Sequence, residues 1–315
     1  MTRASIAPRA RLTRMLFAGI WACWLSLSAA ATECGATHQQ ALQILGSGGP
    51  IADDGRASSS YLVWSGGKAP VMVDTGSGSF LRFGEAGALV SELDFIGLSH
   101  LHTDHVGDFP ALMKSGSFRH RRLPLVVAGP AGSALFPSVS AYLTQLFDST
   151  TGAYRYLHSY VRDEDAPLIV QEVDSRDVVS VFRSDLMQID SLAVPHGIVP
   201  ALAFRVRIGG KTLVFGSDQN GSNDAFIDFV RDADVLVMHL VVPEGVRGPA
   251  RRLHAAPSRI GEIARDANVS HLVLSHLMAR SLSTLDDNLA QVRKRYKGPI
   301  TVAHDLLCID LDSSG

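Results

Sequence analysis

From Ser99 to His105 the chain reads Ser-His-Leu-His-Thr-Asp-His, which packs three imidazoles and a carboxylate into six residues. Few folded environments other than a metal site use that arrangement. Neutral imidazole is the commonest ligand for a borderline divalent ion, and a carboxylate supplies balancing negative charge. Asp94–Ser99, leading into it, reads as a short buried strand. After it, Phe109, Leu112 and Met113 keep helical spacing. The cluster is therefore expected on a loop at the C-terminal end of a strand, where α/β proteins place their chemistry.

The first 31 residues read as a secretory signal peptide. Arg3, Arg9, Arg11 and Arg14 precede an uncharged run from Met15 to Leu27, and Ser28-Ala29-Ala30-Ala31 offers small residues for cleavage. The run is short for a membrane span. The absence of an Arg-Arg pair favours the general secretory route, so a periplasmic or secreted protein with no stable membrane insertion after cleavage is expected; a retained anchor is the alternative. Four of the 29 basic residues and none of the 31 acidic ones lie before Thr32, leaving 25 against 31 and a net charge of −6. That balance argues against a broad nucleic-acid surface. Cys34 and Cys308 are the cysteines left beyond the leader. In an oxidising compartment they are a candidate disulfide, the alternative being two unrelated thiols.

From Ala41 onward, short apolar runs alternate with turns, and Gly209-Gly210 marks a hairpin. Helices are expected at Ser133–Phe147, Ala225–Arg231, Ser258–Ala267 and Leu285–Tyr296. A strand-rich block then a mixed block, followed by a second such pair, predicts an α/β four-layer αββα sandwich, with 32–315 as a single domain. Asp148–Pro167 is the longest irregular stretch, a solvated loop or a lid over the site. Three isolated side chains stand where apolar strands run out: His196 after Val194-Pro195, Asp218 after Phe215-Gly216-Ser217, and His276 after Leu274-Ser275. With the first cluster they make seven donors and no thiolate. That set suits a pair of zinc-like ions with open positions rather than a closed structural site.

These pieces resemble the metallo-β-lactamase superfamily, in its ribonuclease Z-like and arylsulfatase-like branch. The matching motifs are Leu45-Gly46-Ser47-Gly48-Gly49-Pro50, Val71-Met72-Val73-Asp74-Thr75-Gly76, His100–His105, Pro195-His196, Phe215-Gly216-Ser217-Asp218 and the block from His254 to His276. The resemblance implies a dinuclear zinc hydrolase using a metal-bridging hydroxide, with Mn2+ or Fe2+ as other occupants. His100, His102 and His196 would hold one ion, Asp104, His105 and His276 the other, and Asp218 would bridge them. Asp74 would orient the histidine loop. His254 would stabilise the transition state or protonate the leaving oxygen, so Asp104 and His254 are the catalytic candidates. His239 is a supporting residue or simply packed. His304 sits on a late loop where this branch ends near its site, and the family allows a homodimer. His38, His120, His158 and His271 read as structural or exposed.

Several departures narrow the substrate. In ribonuclease Z proteins a Glu follows the histidine at the position of His239, whereas here it is Leu240. Residues 148–167 offer only Arg155 and Arg162 against Asp148, Asp163, Glu164 and Asp165, a poor surface for phosphate backbones. Asp104 and the bridging Asp218 argue against a β-lactamase, and His102, where redox di-iron relatives carry Glu, argues against that role. The expectation is an exported hydrolase of a small phosphodiester or sulfate ester, a small anionic substrate rather than nucleic acid. The alternatives are a ribonuclease Z-type endonuclease, a lactone or carboxylic-ester hydrolase, and a non-enzymatic metal-binding or sensor domain.

Overall fold

Apart from Met1, the computed structural model describes residues 34–118, 124–162 and 168–312. The expected signal peptide and His120 lie outside them. Residues 31–315 form one compact unit. Among the described residues no helix is long and apolar enough to cross a membrane.

Fourteen strands follow in chain order: β1 (Gln40–Gly46), β2 (Ser60–Ser65), β3 (Lys68–Val73), β4 (Phe95–Gly97), β5 (Leu125–Pro130), β6 (Leu168–Val173), β7 (Val179–Arg183), β8 (Met187–His196), β9 (Val199–Ile208), β10 (Lys211–Phe215), β11 (Val235–His239), β12 (His271–Ser275), β13 (Ile300–Val302) and β14 (Cys308–Asp310). They form two seven-stranded sheets, ordered β14-β1-β2-β3-β4-β5-β6 and β13-β12-β11-β10-β9-β8-β7. In each sheet antiparallel pairing gives way to parallel, at β3–β4 in the first and β10–β11 in the second. The halves expected from the strand pattern are thus present as two sheets of like construction.

Alternation along the strands builds the layers. Leu42, Ile44, Tyr61, Val63 and Phe95 from one sheet meet Phe204, Leu213, Phe215, Val235 and Val237 from the other in the inter-sheet core. Their neighbours Leu62, Trp64 and Ile96 face outward onto Phe83, Phe109 and Leu143. Val214, Leu236 and Met238 face outward onto Phe226, Ile260 and Val292. Helices on both outer faces complete an αββα sandwich. Gly97 lies against the inter-sheet ring of Phe204, where an added Cβ would stand 2.9 Å from a ring carbon.

One expectation needs correction. The helix foreseen from Ser133 begins only at Val139, because Pro137 interrupts the approach and the Ser138 side chain caps the helix by accepting from the Ala141 N–H. Of the stretch read as a solvated loop or a lid, residues 163–167 lie outside the described residues, and 148–162 are largely exposed but anchored. Leu157 is buried, Tyr160 donates to the Met113 carbonyl at 2.8 Å, and the segment packs against the helix Phe109–Gly116.

Cys34 and Cys308 are bonded, joining the start of the described chain to the edge strand β14 across 274 residues of sequence. Such a closure acts mainly by restricting the unfolded chain. Cys308→Ser is expected to lower unfolding free energy by about 2–4 kcal/mol. Denaturant titrations of the variant and of reduced wild type should then coincide; equal stability of the oxidised wild type and the variant would refute this.

Candidate metal centre

The candidate residues converge because they stand where strands end at one edge of the sandwich. Asp74 follows β3, and the loop of His100 to His105 follows β4 and runs into the short helix Thr103–Val106. Asp218 lies beyond β10, His239 ends β11, and His276 follows β12, all parallel strands; His196 ends β8 at its hairpin with β9. Three of these turns are held in the left-handed region, with φ of 58° at Asp74, 58° at Ser217 and 52° at His276. Non-glycine residues adopt it only where the surroundings enforce it, commonly at functional sites.

Among the described residues five overlapping trios of possible donors result, three of them containing Asp218, and the two without it share no residue. One is His100, His102 and His196 and the other Asp104, His105 and His276, and within each group the donor atoms lie inside 4.8 Å of one another. Asp218 faces both. Its Oδ2 is 3.5 Å from His196 Nε2, 4.0 Å from His100 Nε2 and 3.9 Å from His105 Nε2, while its Oδ1 is 3.6 Å from His276 Nε2. Apart from half-buried His102, these seven residues are buried.

A second layer of contacts fixes which ring nitrogen points inward. Asp74 accepts from the Ser99 N–H at 2.7 Å, from the Ser99 hydroxyl at 2.9 Å and from His105 Nδ1 at 2.7 Å. His196 donates Nδ1–H to the Leu253 carbonyl at 3.0 Å. In both rings Nε2 is left buried, facing the other donors and without a hydrogen-bond partner. Carboxylate- or carbonyl-held imidazoles of this kind are the usual support of a metal ligand. His239 differs. Its Nδ1 bonds Asp218 Oδ1 at 2.7 Å and its Nε2 the Tyr61 hydroxyl at 3.0 Å, so both nitrogens are used.

The electrostatics agree with a cation in this place. Burial opposes ionisation of Asp218, yet His276, His239 and His254 hold it well below the carboxylate range. Burial also works against charged His105, but Asp74, aided by Asp218 and Asp104, pushes it up to about 9, so the surroundings favour positive charge here. Desolvation instead lowers His100 and His102, leaving neutral rings with a lone pair to give. The donor set therefore fits divalent ions.

The site floors a cavity of about 490 Å3 lined by Pro50, Leu101, Leu253, Met278, His254 and Arg280 together with five of the donors, His100 and His105 lying behind them. Burial lowers His254 to about 3, and its buried Nδ1 has no hydrogen-bond partner, standing 3.7 Å from Asp218 Oδ1. No carboxylate among the described residues pairs with it at hydrogen-bond distance, in keeping with Leu240 beside His239. His304 does not join the site. It is exposed and bonded to the Asp305 carbonyl, and it is Asp305 that reaches inward, to Ser47, Ala57 and Arg82. Sequence reading missed Tyr61, Ser99 and Arg280. Ser99 precedes the first histidine and was open to suspicion as its support, while Tyr61 is indistinguishable in the sequence from any core strand residue.

The sequence profile of the Metallo-beta-lactamase superfamily matches residues 53–224. A protein from Mycolicibacterium paratuberculosis named Ribonuclease Z is 28% identical over 283 residues, covering 86% of this chain and 98% of its own. Among solved structures, human tRNase Z, short form, superposes with a TM-score of 0.67 at 18% identity, covering 86% of this chain and 99% of that one. The metallo-beta-lactamase fold protein YhfI from Bacillus subtilis gives 0.65 at 21% identity, with the same two coverages. The profile spans more than half of the chain, from before Asp74 to beyond Asp218, and this chain belongs to the metallo-beta-lactamase superfamily, a metal-dependent hydrolase with ribonuclease Z relatives.

Proposed function

We propose that this protein is an exported dinuclear zinc hydrolase acting on a small phosphodiester or sulfate ester. The observation that carries the reading is Asp218, whose two oxygens face two separate donor groups. His100, His102 and His196 would hold one ion, Asp104, His105 and His276 the other, and Asp218 both. Bound there, a pair of divalent cations acidifies a water nucleophile and neutralises charge on the attacked ester. The protein's own part is orientation. Asp74 and the Leu253 carbonyl keep imidazole lone pairs inward, and Asp104 balances charge while placed to touch the reacting centre.

Arg280 supports an anionic substrate. Its Nε is anchored on the Val241 carbonyl at 3.0 Å, and no carboxylate among the described residues neutralises the guanidinium, which lines the cavity. The cavity volume suits a small molecule. His254, neutral by burial, has one N–H to give, so stabilising charge on a leaving or non-bridging oxygen suits it better than acting as a charged acid. His254→Ala is expected to lower kcat by about 10²–10³-fold with zinc content unchanged. Loss of zinc in that variant would make His254 a ligand instead. Export rests on the leader read in residues 1–31.

The relatives named Ribonuclease Z favour a second reading, cleavage of tRNA precursors. A panel of bis-p-nitrophenyl phosphate, p-nitrophenyl sulfate and a 3′-extended tRNA separates the two. The proposal expects turnover of one of the small esters and an uncut precursor. Precursor cleavage without turnover of either small ester would replace it with the second reading.

A further inference from the structure

We propose that Tyr61 is a positioning residue for the bridging carboxylate, acting across the sandwich through His239; this rests on the reading that Asp218 serves two ions. Tyr61 comes from β2 of the first sheet, whereas Asp218, His239 and Ser275 belong to the second. Its ring is buried in the inter-sheet core beside Phe215, with centroids 5.4 Å apart. Its hydroxyl lies 3.0 Å from His239 Nε2 and 3.1 Å from Ser275 Oγ.

The hydrogen-bond inventory orders these contacts. A carboxylate only accepts, so His239 Nδ1 carries the proton given to Asp218 Oδ1 at 2.7 Å. Nε2 of the neutral ring is then an acceptor, and the phenolic O–H is the donor within reach. Ser275 Oγ at 3.1 Å is a second acceptor within reach of the same phenolic O–H, and its own hydroxyl can rotate to return a proton to the Tyr61 oxygen. The chain Tyr61–His239–Asp218 therefore runs in one direction, and each member fixes the next. A phenol on Nε2 holds the imidazole in the plane and tautomer that place Nδ1–H on Oδ1, which in turn orients the carboxylate toward both donor groups. Without it the ring has no partner on that side and Asp218 loses a fixed orientation. The first sheet thus contributes to the candidate centre from inside the core as well as through the histidine loop.

The test uses the whole protein, metal-free and then titrated with zinc against a chelator. Long-range proton–nitrogen spectra of the 15N-labelled metal-free wild type should show His239 as the Nδ1–H tautomer with a hydrogen-bonded Nε2. In Tyr61→Phe, which keeps the ring, the Nε2 resonance should move to that of an unbonded pyridine-type nitrogen. The second zinc equivalent should bind about tenfold or more weakly, with the first changed by less than about threefold. Ser275→Ala, which leaves Tyr61 its bond to His239, should keep both affinities. An Nε2–H tautomer in the wild type, a Tyr61→Phe titration identical to wild type, or equal losses in Ser275→Ala would overturn the proposal. Should Tyr61→Phe fail to fold, the wild-type tautomer and Ser275→Ala decide it. A wild type that takes up fewer than two zinc ions refutes the two-ion reading instead, and the tautomer spectra still decide whether Tyr61 orients His239.

Discussion

Asp218→Ala should abolish ester hydrolysis, by on the order of 10³-fold or more in kcat/KM, a barrier increase of about 4 kcal/mol. The same variant should retain at most one zinc ion. The reason is its shared position. Oδ2 lies within 4.0 Å of ring nitrogens of His100, His105 and His196, and Oδ1 within 3.7 Å of His276 and His254. Its removal takes one anion from both donor groups at once and leaves the His239 N–H buried without an acceptor. Asp218→Asn separates charge from shape, since the amide oxygen still accepts from His239 but carries no charge. It should fall between wild type and alanine in zinc affinity and close to alanine in rate. An alanine variant that keeps two zinc ions and its rate would show that Asp218 bridges nothing.

Asp74→Ala is the second large effect, felt in stability and in metal affinity together. The carboxylate is buried and accepts three hydrogen bonds, two from Ser99 and one from His105. Alanine leaves the Ser99 N–H and the His105 N–H orphaned, and a buried donor without a partner costs about 1–3 kcal/mol. The position is also left-handed, with φ of 58°, which aspartate tolerates better than alanine. A total loss of about 3–5 kcal/mol in the metal-free protein is expected, by analogy with breaking a buried pair. Zinc affinity should fall by about 10–100-fold, because His105 is no longer held with Nε2 inward. Thermal unfolding and chelator competition measure the two separately. Unchanged zinc affinity would reduce Asp74 to a purely structural residue.

Much of the centre was legible from sequence because its donors punctuate strands. Each of His196, Asp218 and His276 follows an apolar run; singly such a residue is usually a cap or hydrogen-bond partner, and it is their succession behind the His100–His105 cluster that marks them. The two-layer sheet pattern was legible for the same reason, since short unbroken apolar runs mark β2, β10 and β11, whose residues are buried one after another along the strand. What was hidden is whatever depends on a three-dimensional neighbour. Tyr61 reads as core until β2 is laid against the ends of β11 and β12. Arg280 belongs to no motif, and only the fold sets it on the cavity wall with Met278. His304, on a late loop, stays exposed and outside the centre, because which residues of a loop turn inward depends on its backbone. The late start at Val139 reflects local chemistry, Pro137 and the Ser138 cap overriding an apolar pattern.

The central claim is that two ions share Asp218. Anomalous diffraction at the zinc edge from crystals of the zinc-loaded protein tests it most directly. The account predicts two peaks, each at about 2.0–2.2 Å from its donors, one held by His100, His102 and His196, the other by Asp104, His105 and His276, and both in contact with Asp218. A single peak, or a pair that leaves Asp218 uncoordinated, would contradict it.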